Sequence, residues 1–192
     1  VRRKFCTLSL YYRLFDNMQA KLDEVVESLG TAKFDLATAT VSVSEVIRRL
    51  DAKDETLVLM DVRSEEERLV STIAGSITRA EFEAESEKYA GKDVVAYCTV
   101  GYISGAVTCE MRRKGLPVKN MGDGALLGYC LARTQAGETS PLVKDGSPTN
   151  AVHTFMPDLL PLAGEGMVGH SFADPGAVLA AANEKIMETL GL

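Results

Sequence analysis

The sequence predicts an α/β protein in which an open parallel sheet carries helices on both faces, with helical extensions toward the N- and C-terminal ends. Two observations predict it. From residue 40 onward, short apolar runs alternate with segments of helical spacing, the order that produces parallel strands covered by helices. The 192 residues are 46% hydrophobic and 25% charged, which is enough apolar material for one well-cored domain plus extensions but cramped for two.

Residues 1–38 read as an N-terminal helical extension. They begin basic (Arg2, Arg3, Lys4) and then place Met18, Leu22, Val25, Val26 and Leu29 at helical spacing, with Gly30 as the stop. Packing on its own domain is the first reading of this amphipathic helix, and docking on a partner protein is the second.

Val41 and Val43 suggest a short strand, and Ser44 a cap for a helix running to Leu50, because a serine hydroxyl accepts a bond from an orphan backbone N–H. Leu57 to Met60 reads as a buried strand ending at Asp61, and Glu65 to Val70 as a short helix. The acidic run Glu65, Glu66, Glu67 suits a solvated helix start beside the helix dipole. A second acidic helix covers about Ala80 to Tyr89, where Gly91 breaks it. Val94 to Tyr97 is the next core strand and delivers Cys98 at its C-terminal end, where ligands bind in open α/β sheets.

A helix from about Ser104 to Lys114 follows, ended by Gly115 and Pro117, then a strand over Val118 to Met121 and a helix over Gly124 to Ala132. Thr134 to Asn150, rich in Gly, Ser, Thr and Pro, reads as a loop leaving a domain that spans 39–135. Residues 136–192 read as a loop-rich C-terminal extension ending in an Ala-rich helix, with Asp174 as N-cap and Pro175 in the first turn.

Composition excludes some functions. A net charge of -6 lacks the basic excess that a nucleic-acid binder uses against phosphates, so nucleic acid is not an expected partner. The longest apolar runs fall short of the roughly 18 residues that span a bilayer. Four cysteines (Cys6, Cys98, Cys109, Cys130) show neither C-x-x-C spacing nor a disulfide framework, which fits a reducing intracellular compartment. The chain opens on Val1, as a processed or trimmed chain would; if it is processed, a targeting peptide is already gone and a plastid or mitochondrion joins the compartments open to it, which this sequence constrains only weakly. His153 and His170 lack metal-ligand spacing to each other or to the cysteines, so no metal site is expected.

Cys98 is the candidate nucleophile. A cysteine between a buried strand and a helix N-terminus meets backbone N–H groups and the positive end of the helix dipole, both of which favour negative charge on sulfur. Cys109 and Cys130, on helices, read as packed core residues.

The wider text is more specific. Asp61, Val62, Arg63, then Glu67, then Ile73, Gly75, Ser76 and Ile77, followed by Val94 to Cys98 and Gly101, Ser104 and Gly105, resembles the rhodanese superfamily. Tyr97 to Gly105 looks closest to a subgroup whose active loop reads tyrosine, cysteine, threonine, valine or isoleucine, glycine, tyrosine, arginine, serine, glycine. The resemblance covers about residues 40 to 135, with a weaker echo at Val152, His153 and Thr154.

This resemblance implies a rhodanese-like fold and a ping-pong transfer of sulfane sulfur without metal or organic cofactor. Cys98 would take sulfur from a donor, hold it as a persulfide and pass it to a thiol acceptor. The loop of Thr99, Val100, Gly101, Tyr102, Ile103 and Ser104 would surround the persulfide, and Asp61 and Arg63 would support the fold. Ile103 stands where the family commonly has arginine, so the forked cation that would hold an anionic donor is missing. Two functions follow: a sulfurtransferase favouring a thiol or protein donor over free thiosulfate, or a catalytically weak module that binds or assembles within a larger complex through its helical extensions.

Overall fold

A computed structural model describes residues 39–190. Five parallel strands, β1 (Thr40–Val41), β2 (Leu57–Asp61), β3 (Ile77–Thr78), β4 (Asp93–Tyr97) and β5 (Lys119–Met121), form one sheet in the order β1-β5-β4-β2-β3. The intervening helices are α1 (Val43–Asp51), α2 (Glu65–Val70), α3 (Arg79–Ala84), α4 (Tyr102–Arg113) and α5 (Ala125–Gln135).

Alternation along the strands divides the core. Leu59, Val95 and Tyr97 pack with Val43 and Val46 of α1 and Leu126 and Cys130 of α5, whereas Met60, Val94 and Ala96 pack with Phe82 of α3 and Met111 of α4. Helices therefore cover both faces, as expected. The chain leaves β2 toward β3 on one side and leaves β4 toward β5 on the other, so a crevice opens where neighbouring strands β2 and β4 end. That is the topological switch point at which open α/β sheets bind ligands.

Several boundaries differ from the sequence reading. Val43 belongs to α1 rather than to a strand, and Ser42, not Ser44, caps that helix by accepting the Glu45 N–H at 3.2 Å. The acidic segment splits into α3 and a 3-10 turn over Ser86–Tyr89. Helix α4 starts two residues before Ser104, because Gly101 turns left-handed (φ 92°) and releases Tyr102 directly into the helix.

The largest difference lies beyond α5. In place of a departing loop, β6 (Leu142–Lys144) and β7 (Ser147–Thr149) form an antiparallel hairpin, and Val143 exchanges both backbone hydrogen bonds with Thr72 at 2.9 Å. β8 (Ala151–His153) then pairs in parallel with β9 (Val168–His170), and Ser71 donates its hydroxyl to the Ala151 carbonyl at 2.7 Å. Helix α6 (Pro175–Leu190) returns against α4. Its cap is the expected one, with Asp174 accepting the Ala177 N–H at 3.0 Å. The helix predicted around Met18 to Leu29 lies outside the described residues. Among the described residues no helix is long and apolar enough to cross a membrane.

Candidate active site

Cys98 is the first residue after β4, the central strand, and sits beside the end of β2 at the switch point. Its sulfur accepts the Gly101 N–H at 3.2 Å and the Ser104 hydroxyl at 3.5 Å. Two donors on one sulfur, next to the positive end of a helix of 12 residues, stabilise negative charge there. Cys98 is buried, with 3% of its surface exposed.

The loop owes its shape to partners outside it. The first turn of α5 donates Leu126 N–H to the Cys98 carbonyl (3.2 Å) and Leu127 N–H to the Thr99 carbonyl (3.1 Å). Asn120, on β5, donates from Nδ2 to the Gly101 carbonyl at 3.2 Å. A Cβ at Gly101 would lie 3.3 Å from the Met121 carbonyl oxygen, and its φ of +92° is a conformation that side chains disfavour. Gly101 thus serves both close approach and backbone hand.

Asp61 and Arg63 sit beneath the loop rather than on the sulfur. Arg63 donates to Asp61 from Nε (3.0 Å) and Nη2 (2.7 Å) and to the Ser71 carbonyl (2.6 Å), and Tyr97 donates its hydroxyl to Asp61 at 2.8 Å. The pair is almost wholly buried. This network fastens β2 to β4 at the crevice floor. Burial, followed by the Asp61 charge, pushes the Tyr97 phenol well above its ordinary range, so it is a fixed donor.

Glu67 corrects the sequence reading of the acidic run. It is buried (3% exposed), accepts Ser64 N–H and hydroxyl at 3.0 and 2.9 Å through Oε2, and accepts the Thr99 hydroxyl at 2.8 Å through Oε1. A capping box at the start of α2 therefore reaches the loop. The signal was present as Ser64-x-x-Glu67. His153, carried back by β8, lies with Nδ1 3.9 Å from Glu67 Oε1. That Nδ1 accepts the Phe155 N–H at 3.3 Å, and burial pulls the imidazole pKa below its ordinary value, so the ring is neutral.

Of the other predicted loop residues, Val100 is buried, and Tyr102 donates its hydroxyl to Asn183 of α6 at 2.8 Å. Ile103 is half-buried and packs against both core clusters. Cys109 is half-buried on α4, and Cys130 is fully buried, its thiol pushed up to about 12 by desolvation. Cys98 alone among the described cysteines sits at the ends of the sheet strands beside a helix N-terminus.

Solved structures similar to this fold include rhodanese-like proteins. A rhodanese-related protein from Thermoplasma volcanium is 19% identical with a TM-score of 0.42, covering 54% of this chain and 96% of its own. A rhodanese-like domain from Anabaena is 18% identical with a TM-score of 0.44, covering 56% of this chain and 80% of that one. A thiosulfate sulfurtransferase from Pseudomonas aeruginosa is 22% identical with a TM-score of 0.45, and the match spans 69% of this chain but 23% of that protein. No protein-family model matches the chain, and no curated protein matches it.

Proposed function

We propose that the chain is a sulfurtransferase that carries sulfane sulfur as a persulfide on Cys98, without metal or organic cofactor, in a reducing intracellular compartment. The observation that supports this most is the pair of donors, Gly101 N–H and Ser104 hydroxyl, on a cysteine sulfur at the switch point. The Cys98 thiolate attacks the outer sulfur of a donor; the new S–S bond forms as the donor's S–S bond breaks, and the leaving group departs with the electron pair. An acceptor thiolate then attacks the outer persulfide sulfur and releases the Cys98 thiolate, leaving the acceptor persulfidated. Thr99 through Ser104 shape the loop, and Asp61 and Arg63 hold its floor. With Ile103 in place of a loop cation, thiol or protein persulfides are better donors than thiosulfate.

Mass spectrometry of the full chain after incubation with polysulfide, thiosulfate or a persulfidated protein tests this. One added sulfur atom on the Cys98 peptide, absent in Cys98→Ser, is expected; no sulfur gain from any donor overturns it. A second reading, a module that binds or assembles with a protein partner through its helical extensions, is favoured by the burial of Cys98. It predicts a co-purifying partner and an inert Cys98.

A further inference from the structure

Asn120 stands outside the loop, on β5, where the sheet holds its backbone from both sides. Its N–H donates to the Ala39 carbonyl at 2.6 Å, and in register it lies between Thr40 of β1 and Ala96 of β4. Alternation along β5 places Met121 in the core beneath α1 and α5 and Val118 in the core beneath α3 and α4, so the Asn120 side chain shares the α4 face. There its Nδ2 donates to the Gly101 carbonyl at 3.2 Å. The same carbonyl accepts the Gly105 N–H at 3.0 Å, at the first turn of α4.

The other end of the Asn120 amide meets no donor. The residue is 5% exposed, and its Oδ1 has no hydrogen-bond partner among the described residues. A buried acceptor left unmet is a desolvation cost, which leucine, with a similar branched shape, would avoid. What the amide adds at this position is the bond to Gly101. Glycine has more backbone freedom than any other residue, and Gly101 is held at φ 92° and ψ -5°. Its N–H and its carbonyl turn about one Cα, so pinning the carbonyl keeps the N–H at 3.2 Å from the Cys98 sulfur.

We infer that Asn120 is a positioning residue for Cys98: by holding the Gly101 carbonyl it keeps the Gly101 N–H on the sulfur, and so sets how much of the thiol is present as reactive thiolate near neutral pH. Asn120 acts through the loop rather than by contact with the sulfur. The use of that thiolate in sulfur transfer rests on the sulfurtransferase reading above; its dependence on Asn120 rests on the loop geometry.

Alkylation by iodoacetamide, followed on the Cys98 peptide of the full chain by mass spectrometry across a pH series, tests this, because only the thiolate reacts. In Asn120→Leu the rate near pH 6.5 should fall about threefold or more, while the rate near pH 9.5, where an ordinary thiol is itself largely ionised, stays close to that of the parent. Asn120→Ser, whose hydroxyl is too short to reach the Gly101 carbonyl, should show the same change, and it decides the matter if the leucine variant does not fold. Thr108 is the control. It is fully buried on α4 and its hydroxyl likewise has no partner among the described residues, so Thr108→Val alters a buried polar group near the loop without touching Gly101. Its low-pH rate should match the parent. An unchanged pH profile in the Asn120 variants, or an equal fall in Thr108→Val, overturns the inference and leaves persulfidation of Cys98 untouched. A parent that gains no sulfur from any donor, with the Asn120 effect intact, overturns the sulfurtransferase reading and leaves Asn120 as the residue that positions a reactive thiol.

Discussion

Glu67 Oε1 and the Thr99 hydroxyl meet at 2.8 Å, joining the capped start of α2 to the residue that follows the cysteine. Both residues are buried, so this contact is shielded from water. Hydrogen bonds to a charged group contribute about 1.5–3 kcal/mol, and stranding buried donors adds a desolvation cost. Glu67→Ala should therefore lower unfolding stability by about 2–4 kcal/mol, with a larger loss than in Thr99→Val, as read from urea midpoints.

Breaking the pair beneath the loop should cost more. Asp61→Ala leaves the Arg63 guanidinium, which is fully buried, without its counter-charge and removes the acceptor of the Tyr97 hydroxyl. Removing one partner of a buried ion pair destabilises by about 3–5 kcal/mol. Chemical denaturation of the variant at neutral pH measures this, and a change under 1 kcal/mol would show that the pair is dispensable.

His153 should make stability depend on pH. Its folded pKa is depressed, first by burial, while Glu67 and Glu66 raise it and Arg63 and His170 lower it. An unfolded histidine titrates near 6.5. Above that value both states are neutral and the contribution is complete; as pH falls below it, the unfolded chain takes up the proton first and stability is lost until the folded pKa is passed. Urea midpoints between pH 5 and 8 should decline on the acid side, and His153→Gln should remove that component.

Much of this framework was legible in the sequence, and the exceptions have physical causes. Helix α2 and strand β4 were readable because an acidic helix start and a continuous apolar run are local signals. The β6–β7 hairpin and the β8–β9 pair were not, because strands of three residues containing Pro148 or Gly169 carry no period of their own and form only against neighbours. Glu67 looked solvated because its two neighbours are exposed; its burial follows from the returning tail, which local pattern cannot show. Ile103 was visible as a departure, but its packing against two core clusters required the fold.

That packing shapes the expected effect of Ile103→Arg. A restored guanidinium should strengthen thiosulfate use by about 1.5–3 kcal/mol, roughly tenfold or more in the concentration needed to load Cys98. It must also be accommodated where a compact aliphatic chain now sits, which costs about 1–3 kcal/mol of stability. Persulfide loading against thiosulfate concentration, alongside a urea titration, checks both.

Gly101→Ala should fail in a different way. The left-handed φ costs a side chain about 1–2 kcal/mol, and the new methyl crowds the Met121 carbonyl. The amide that faces the sulfur would turn away, so alkylation of Cys98 by iodoacetamide should slow along with the drop in stability.

The main-chain bonds from Leu126 and Leu127 to the carbonyls of Cys98 and Thr99 have a consequence for how this site can change over time. The bend around the sulfur is inherited from α5, whose amides are supplied by any sequence that keeps that helix. Mutation at Val100 or Ile103 can then alter what the crevice recognises without dismantling the bend, so new partners can be tried one side chain at a time on an unchanged mount.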